Sequence, residues 1–348
     1  MIGAQVTIAC PNARHPVVRR LRASWRGLTG GGAVRDAERR TLIACSGGAD
    51  SSALALALGG VRVRPVLAHV VHDLRPEAEV LSDRDAAAVL ADRMGLVFAE
   101  ARVRVAARAG NAEGNARRAR YAALDELAAE HECPYIATAH HADDQLETVL
   151  MRLVRGSGPR GLAGIHPTRR LGHATLVRPM LTLTRAECRS LCGEFGWAWR
   201  EDATNADEDR TRAAIRARVL PELKRLAPGV ERRIGRAGAV LRDAGDLLER
   251  EARALEASGR TSDRTWRWAR ADLACAPESV VGEMLRAIGT RGGRLGADRL
   301  GQASIRPVVR AIRECRDRGA EFRLGRARAR ITGARVEISV DTEDARDG

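Results

Sequence analysis

The chain has 348 residues, 45 % hydrophobic and 30 % charged. That length favours two domains, and no apolar run nears the length that spans a bilayer, so a cytoplasmic protein with no membrane partner is expected. The formal net charge is +14, from 59 basic against 45 acidic residues with Lys224 the single lysine, and this excess favours a polyanionic partner through phosphate contacts and counterion release.

Aromatic residues make up only 3 %, which argues against a base-stacking sheet and leaves arginine planes to take that part. The seven cysteines (Cys10, Cys45, Cys133, Cys188, Cys192, Cys275 and Cys315) are odd in number, scattered and without a C-x-x-C pair, which suits a reducing compartment and argues against a zinc ribbon. Cys188 and Cys192 can share a helix face and read as two buried thiols rather than metal ligands.

Residues 1–40 carry a basic patch at 19–26 and Gly30-Gly31-Gly32 and read as a loose leader, with no apolar core of a secretory signal at its start. From Thr41 the pattern alternates. Strands are expected at 41–45, 63–71, 96–103 and 135–139, and helices at 51–58, 77–94, 113–131 and 143–155. Alternation of this kind predicts α/β architecture, a doubly wound, mostly parallel sheet of Rossmann-like type with ligands at the carboxyl ends of the strands. A last strand is expected within 176–183 and a helix over 185–195, followed by an irregular segment, 197–209. Beyond residue 212 the pattern becomes helical and arginine-rich, with Ile234, Ala237, Leu241, Leu248 and Leu255 marking a long amphipathic helix and further helices near 277–290 and 306–318. The alternation over 321–340, with Arg326, Arg328 and Arg330 on one side and a turn near Gly333, predicts a C-terminal β-hairpin with a basic face, then an acidic tail, 341–347.

The first stretch with chemical content is Ser46-Gly47-Gly48-Ala49-Asp50-Ser51-Ser52. A buried strand precedes it and an Ala/Leu-rich helix follows. Two glycines let the backbone pass close to a ligand, and the N–H groups of the turn and helix start invite an anion, phosphate or pyrophosphate, with the serine hydroxyls adding donors. The common G-x-x-x-x-G-K-[ST] loop is absent. The second stretch runs from Thr138 through His140-His141-Ala142-Asp143-Asp144-Gln145-Leu146-Glu147-Thr148. On a helix starting near Ala142, Asp144, Glu147 and Met151 share one face, while Leu146, Val149, Leu150 and Leu153 share the core-facing one. The carboxylates there suit a cation, either Mg2+ bridging nucleotide phosphates or a substrate ammonium. Adjacent histidines at a strand end point opposite ways and do not easily chelate one ion. A third stretch puts Glu113, Arg117, Arg120 and Tyr121 on one helix face, a ladder suited to phosphates. A fourth, Arg155-Gly156-Ser157-Gly158-Pro159-Arg160-Gly161, reads as a basic loop.

Taken together, these stretches resemble a known family. Ser46, Gly47, Gly48, Ala49, Asp50 and Ser51 are similar to the pyrophosphate-binding loop of the PP-loop ATP pyrophosphatases. Within that superfamily, His69-Val70-Val71-His72-Asp73-Leu74-Arg75, Glu113 with Ala116-Arg117 and Arg120-Tyr121, the His140 to Thr148 stretch, and Arg155-Gly156-Ser157-Gly158 with Gly161-Leu162 resemble the tRNA(Ile)-lysidine synthetases. Arg178-Pro179-Met180-Leu181, Asp202-Ala203-Thr204-Asn205 and Arg216 before Leu220-Pro221 continue the likeness, which covers about residues 41–223. The chain departs at Val71 and Asp73, where the family usually has Asn and Gly, and at Ala213, where it has Asn.

The resemblance implies a PP-loop ATPase catalytic domain over 41–211 and a helical, basic, tRNA-binding domain over 212–348. It implies ATP and Mg2+ as cofactors, tRNA(Ile) with a CAU anticodon and free L-lysine as substrates, and leaves open a homodimer. The reaction would replace the C2 oxygen of the wobble cytosine with the ε-amine of lysine, after adenylation of that oxygen releases PPi, with AMP leaving second. Site residues carried over are the loop for ATP, with Asp50 as candidate Mg2+ ligand; Asp143, Asp144, Glu147, Arg117 and His140 for catalysis or lysine binding; and Arg155, Arg160, Arg212 and Arg216 for tRNA. Lysine's reference pKa of about 10.4 makes the neutral amine scarce near pH 7, a cost of roughly 4 to 5 kcal/mol, so one of Asp144 and Glu147 is expected to bind the α-ammonium while another acid or a phosphate oxygen takes the ε-proton. The alternatives are a PP-loop tRNA thiolase, which commonly carries paired cysteines, a non-enzymatic RNA-binding protein, and a synthetase acting on a small molecule.

Overall fold

The computed structural model of the protein describes residue 8 and residues 10–74, 76–105, 112–200, 210–291, 300–314 and 319–340. Arg75, the side chain of Glu113, the Asp202 to Asn205 stretch and the acidic tail lie outside the described residues. The chain divides into two compact units, residues 1–151 with 164–237, and residues 152–163 with 238–348. The expected boundary at 211/212 is therefore displaced, because residues 212–237 belong with the first unit. Among the described residues no helix is long and apolar enough to cross a membrane.

In the first unit, β1 (Thr41–Ala44), β2 (Val66–His72), β3 (Val97–Val103), β4 (Tyr135–Ala137), β5 (Thr168–Arg170) and β6 (Thr175–Val177) form one sheet in the order β3-β2-β1-β4-β6-β5. All pairings are parallel except β5 against β6. Strand order reverses at β1, whose neighbours are β2 and β4, so the crevice of an open α/β sheet belongs outside the carboxyl ends of β1 and β4. Side chains alternate across the sheet. Ile43, Leu67, Ala137 and Val177 face a core shared with α1 (Pro16–Leu28), α2 (Ala49–Gly59), α3 (Glu77–Met94) and α7 (Arg185–Glu194), while Leu42, Val66, Ile136 and Leu176 face α4 (Ala112–Glu130). With both faces covered, the strands need apolar residues at nearly every position, which is why β1 reads as an unbroken apolar run.

Residues 1–40 are not a loose leader throughout. Val18, Leu21 and Trp25 of α1 are buried in the first core, and Trp25 Nε1 donates to Thr41 Oγ1 at the first residue of β1, 3.1 Å away. The turns after α1 close around one guanidinium: Arg39, 2 % exposed, donates to Thr29 O (2.6 Å), Thr29 Oγ1 (2.7 Å) and Val34 O (2.6 Å) and pairs with Asp36. A buried guanidinium is tolerated only when its donors are met in this way. The patch at 19–26 looked basic and solvated because the apolar spacing Val18, Leu21, Trp25 is diluted by arginines on the opposite face.

The other elements follow the sequence with shifts of a few residues. Helix α5 (Ala142–Val154) buries Leu146 and Val149, as expected, but leaves Leu153 exposed. Arg210–Ala214, a π-helical turn at Ile215–Val219 and Leu220–Leu226 form one continuous helical run, here α8 to α9.

In the second unit the expected C-terminal hairpin is present as β9 (Ala327–Ile331) with β10 (Arg335–Val340), but as the inner pair of a four-stranded antiparallel sheet, β7-β10-β9-β8. A lone hairpin is marginal in water, and β8 (Ala320–Leu324) and β7 (Thr265–Ala269) complete a sheet that buries one face. That face, with Trp266, Trp268, Ala329, Ile331, Val336 and Ile338, packs on α12 (Glu278–Gly289) and α13 (Gln302–Glu314). Arg328 and Arg330 are on the exposed face as expected, whereas Arg326 sits in the turn between β8 and β9.

One carboxylate fixes α1 to the sheet's helical cover. Glu187 completes the capping box of α7 with Thr184 and pairs with Arg20 of α1 and, at 2.7 Å, with Arg232 of α10 (Val230–Gly259). Burial works against its charge, but the Thr184 N–H, Arg232 and Arg20 outweigh that and pull its pKa down to about 2. A carboxyl depressed in this way stabilises the fold above its unfolded pKa, and the contribution fades as pH falls toward the folded value. Glu187→Gln is therefore expected to lower the denaturation midpoint at pH 7, with the gap to the parent protein closing below about pH 4.5, measured by urea unfolding across that range.

Candidate active site

The loop after β1 begins with Cys45, whose N–H donates to Ala68 O of β2 (2.8 Å). His69 of β2 lies inside the strand and is buried, with Nδ1 2.8 Å from Cys45 O. Gly47 takes φ +83, and a Cβ there would come 2.9 Å from Asp83 O, so this glycine is required by both conformation and space. Gly48 is extended, at φ −80, and is the N-cap of α2, which starts at Ala49 rather than at Asp50 or Ser51. Ser51 Oγ organises the turn, accepting from Ser46 N (3.2 Å) and donating to Gly48 O (3.1 Å). The loop thus presents the N-terminus of an almost wholly buried helix, with its unpaired N–H groups and positive dipole end, to the crevice.

Beneath the loop, Cys188 and Cys192 of α7 are buried thiols, as read from the sequence, and Cys192 Sγ donates to Ala49 O at 3.3 Å. Burial pushes the Cys192 thiol up to about 12 and the Cys188 thiol higher still. Thiols held protonated in this way are poor nucleophiles.

Across the switch point, α5 begins at the end of β4 and brings its acids to the loop. His141, 2 % exposed, is the joint: its Nε2 lies 3.3 Å from Asp50 Oδ2, and its Nδ1 lies 3.4 Å from Asp144 Oδ2 and 3.7 Å from Asp143 Oδ2. Asp144 Oδ2 also accepts from His141 N at 3.0 Å, capping the first turn of α5. Burial disfavours the imidazolium, yet the hydrogen bond to Asp50 and the charges of Asp144, Asp50 and Asp143 prevail and raise its pKa. Burial likewise raises the Asp144 carboxyl, against the pull of His141.

The remaining carboxylates already have cations. Asp143 holds the ammonium of Lys224, the chain's one lysine, and accepts from Arg185 N at 2.8 Å; despite burial its pKa is lowered by these partners. Glu147, 2 % exposed, is gripped by Arg212 and by Arg216 (Nη2 to Oε2, 3.1 Å) from the α8 to α9 run. Arg212 and Arg216, expected at tRNA, pair with Glu147 in this structure. Asp50 differs: Oδ2 faces His141 and, at 3.9 Å, Arg185 Nε, while Oδ1 is buried with no hydrogen-bond partner.

His140 faces away from this cluster. Its Nδ1 lies 3.1 Å from Thr138 Oγ1, and burial together with Arg178, Arg117 and Arg120 presses its pKa down to about 3, leaving the imidazole neutral. Arg117 stacks 5.1 Å from the Tyr121 ring. Arg155 and Arg160 belong to the second unit, where Arg160 pairs with Glu249 at 2.9 Å near the short helix α6 (Pro159–Leu162).

His141, Arg185 and Lys224 were missed as site residues. The doublet His140-His141 signalled opposite orientations without saying which ring meets the acids, and Lys224 lies 81 positions from Asp143, with nothing local to announce it.

A PP-loop domain family profile matches residues 23–223. The tRNA(Ile)-lysidine synthase of Salinispora arenicola is 45 % identical over 251 residues, 69 % of this chain and 73 % of that protein. That of Bacillus subtilis is 37 % identical over 215 residues, 60 % of this chain and 45 % of that protein, so the chain spans less than half the length of this relative. Among solved structures, the U34-tRNA thiolase NcsA from Methanococcus maripaludis, described with its [4Fe-4S] cluster, superposes with a TM-score of 0.52 at 15 % identity, covering 65 % of this chain and 79 % of that one, a likeness of fold.

Because Gly47 needs the left-handed region and has backbone where a Cβ would go, Gly47→Ala is expected to cost about 1–3 kcal/mol in denaturant unfolding. Gly48→Ala, extended and uncrowded, is expected to cost less than about 1 kcal/mol.

Proposed function

The chain belongs to the PP-loop family of tRNA(Ile)-lysidine synthases, and from that premise we propose that it joins free L-lysine to C2 of the wobble cytosine of CAU-anticodon tRNA(Ile), using ATP and passing through an adenylated cytosine O2. The observation that carries this reading is the Asp50–His141–Asp144 bridge, which sets an anion-binding helix start and a half-buried carboxylate side by side at the switch point of the sheet. A ligase of this kind needs both: donors for the phosphates of ATP and acids for an amine.

A carbonyl oxygen is a poor leaving group. Attack of cytosine O2 on the α-phosphorus of ATP forms the O–P bond and expels PPi. Charge then gathers on the departing phosphates, where the loop N–H groups and the α2 N-terminus lie in place for it without reorganisation. Lysine next adds to C2 through its ε-nitrogen, the C2–O bond breaks with AMP as leaving group, and the nitrogen gives up its proton. Asp144 is the residue we assign to the amine. Among the described residues its carboxylate is not neutralised by an arginine or lysine, unlike Glu147 and Asp143, and its raised pKa makes it a better proton acceptor than an exposed acid. Glu147 is assigned to holding Arg212 and Arg216. The Lys224 ammonium on Asp143 illustrates in the protein itself how this cluster receives an amine.

The donor set fits Mg2+. Asp50 Oδ1 is buried without a partner, and Mg2+ characteristically takes one or two carboxylates together with phosphate oxygens and water. Asp50 would hold it, and bound there it would neutralise charge on the pyrophosphate. Among the described residues no group of three His, Cys, Asp or Glu side chains is disposed to hold a metal alone. Arg155 and Arg160 remain our candidates for tRNA phosphates.

Labelled lysine is expected to enter a CAU-anticodon tRNA(Ile) transcript only with ATP present, yielding AMP and PPi, and to stay out of a transcript with C34→U. Incorporation into both transcripts, or into neither, would overturn the reading. Asp144→Asn is expected to raise the KM for lysine at least tenfold and leave the KM for ATP near the parent value; unchanged lysine kinetics would sink the assignment of Asp144.

A further inference from the structure

One concentration of charge in the first unit, Arg117 among it, stands apart from the Asp50–His141–Asp144 bridge. Around Tyr121 of α4 stand Arg117 and Arg120 from the same helix, Arg169 from β5 and Arg178 just after β6. The first three guanidinium carbons lie 5.1, 5.9 and 5.7 Å from the centre of the tyrosine ring. Arg117, Arg120 and Arg169 are exposed, whereas Tyr121 and Arg178 are 6 % and 4 % exposed and form the floor beneath them. The groups acting most strongly on Arg178 are Tyr121, Arg117 and Arg169, and those acting on His140 are Arg178, Arg117, Arg120 and His141, with no carboxylate among them.

Four like charges gathered around one ring repel one another, and their ring contacts recover only part of that. Two buried polar atoms in the floor are also unsatisfied. Arg178 Nη1 donates to His166 O at 2.5 Å, but its Nε has no partner, and Tyr121 Oη meets no donor or acceptor in hydrogen-bond geometry although Arg120 and Arg178 lie near it. Buried polar atoms left open beneath a ring of exposed guanidinium groups suit an anion. The cluster lies at the carboxyl edge of the sheet on the β4 and β6 side, beyond β4 from the loop that follows β1.

We propose that Arg117, Arg120, Arg169 and Arg178, with Tyr121 Oη, form a phosphate subsite that holds a backbone phosphodiester of the RNA substrate. This rests on the functional reading above. The phosphates of ATP have their own cradle at the α2 N-terminus, and a nucleotide drawn out of an anticodon loop toward Asp144 needs its flanking backbone anchored beside the crevice. Guanidinium forks suit bidentate contacts to phosphate.

The test is binding of a CAU anticodon stem-loop to the full chain over a range of salt. Each phosphate contact removed should flatten the slope of log affinity against log salt by about 0.7–0.9. Arg120→Gln and Arg169→Gln, both at exposed positions, should each show that loss while ATP affinity is unchanged. Tyr121→Phe removes only an unsatisfied hydroxyl, so stability should hold or rise while RNA affinity falls several-fold, a pairing that a structural role for the hydroxyl would not give. Unchanged slopes in both arginine variants would overturn the subsite. A loss of ATP affinity with RNA binding intact would assign the anion to the nucleotide and overturn the RNA assignment. Because backbone contacts are indifferent to sequence, a UAU stem-loop reads the same slopes; a protein that converts no cytosine yet shows them would leave the subsite standing while the functional reading falls.

Discussion

The contact on which the site depends is an imidazole between two carboxylates. His141 reaches Asp50 on one strand connection and Asp144 on the next, joining the two sides of the place where the sheet changes winding direction. A neutral spacer there would leave two half-buried acids facing each other across the ring, and the imidazole fills a gap with 3.3 Å to one carboxylate and 3.4 Å to the other. Histidine is short, has donors on two edges and shifts its charge to suit its neighbours. It neutralises part of the acidic cluster and leaves Asp50 Oδ1 and the Asp144 carboxyl available for what the crevice receives.

Electrostatic pairing elsewhere in the first unit follows the same economy. Arg212, Arg216 and Lys224 reach back from a helical run that the sequence pattern assigned to a second domain, and they cover Glu147 and Asp143. Arg20, Arg232 and the Thr184 cap converge on Glu187. Several arginines counted at first as surface charge thus serve as internal counter-ions, and what remains of the basic excess includes the patch around Tyr121 and the outer face of the C-terminal sheet.

Much of this was legible in the sequence. A strand, a glycine turn and a buried helix at residues 41–58, followed by acids at a helix start after β4, announced the sheet type and put both stretches at strand carboxyl ends, because these features rest on local pattern and on the rule that ligands sit there. What stayed hidden depended on contacts distant in the chain. Trp25 meets Thr41 only after α1 folds back, β5 is a three-residue edge strand with no periodicity to announce it, and β7 hides its alternation, Trp266-Arg267-Trp268, between two helices. Which of two neighbouring histidines faces the acids is decided by how β4 leads into α5, a matter of register beyond what composition records.

Lys224 has a consequence of a different kind. A chain with 59 basic residues carries a single lysine ε-amine, and that amine rests on a carboxylate at the candidate site. Apart from the terminal amine, every lysine-directed reagent therefore addresses this one position, and a lysine-specific protease has one bond to cut. The reactivity of the protein toward amine chemistry is in effect a report on whether Asp143 holds the Lys224 ammonium, read without changing a residue.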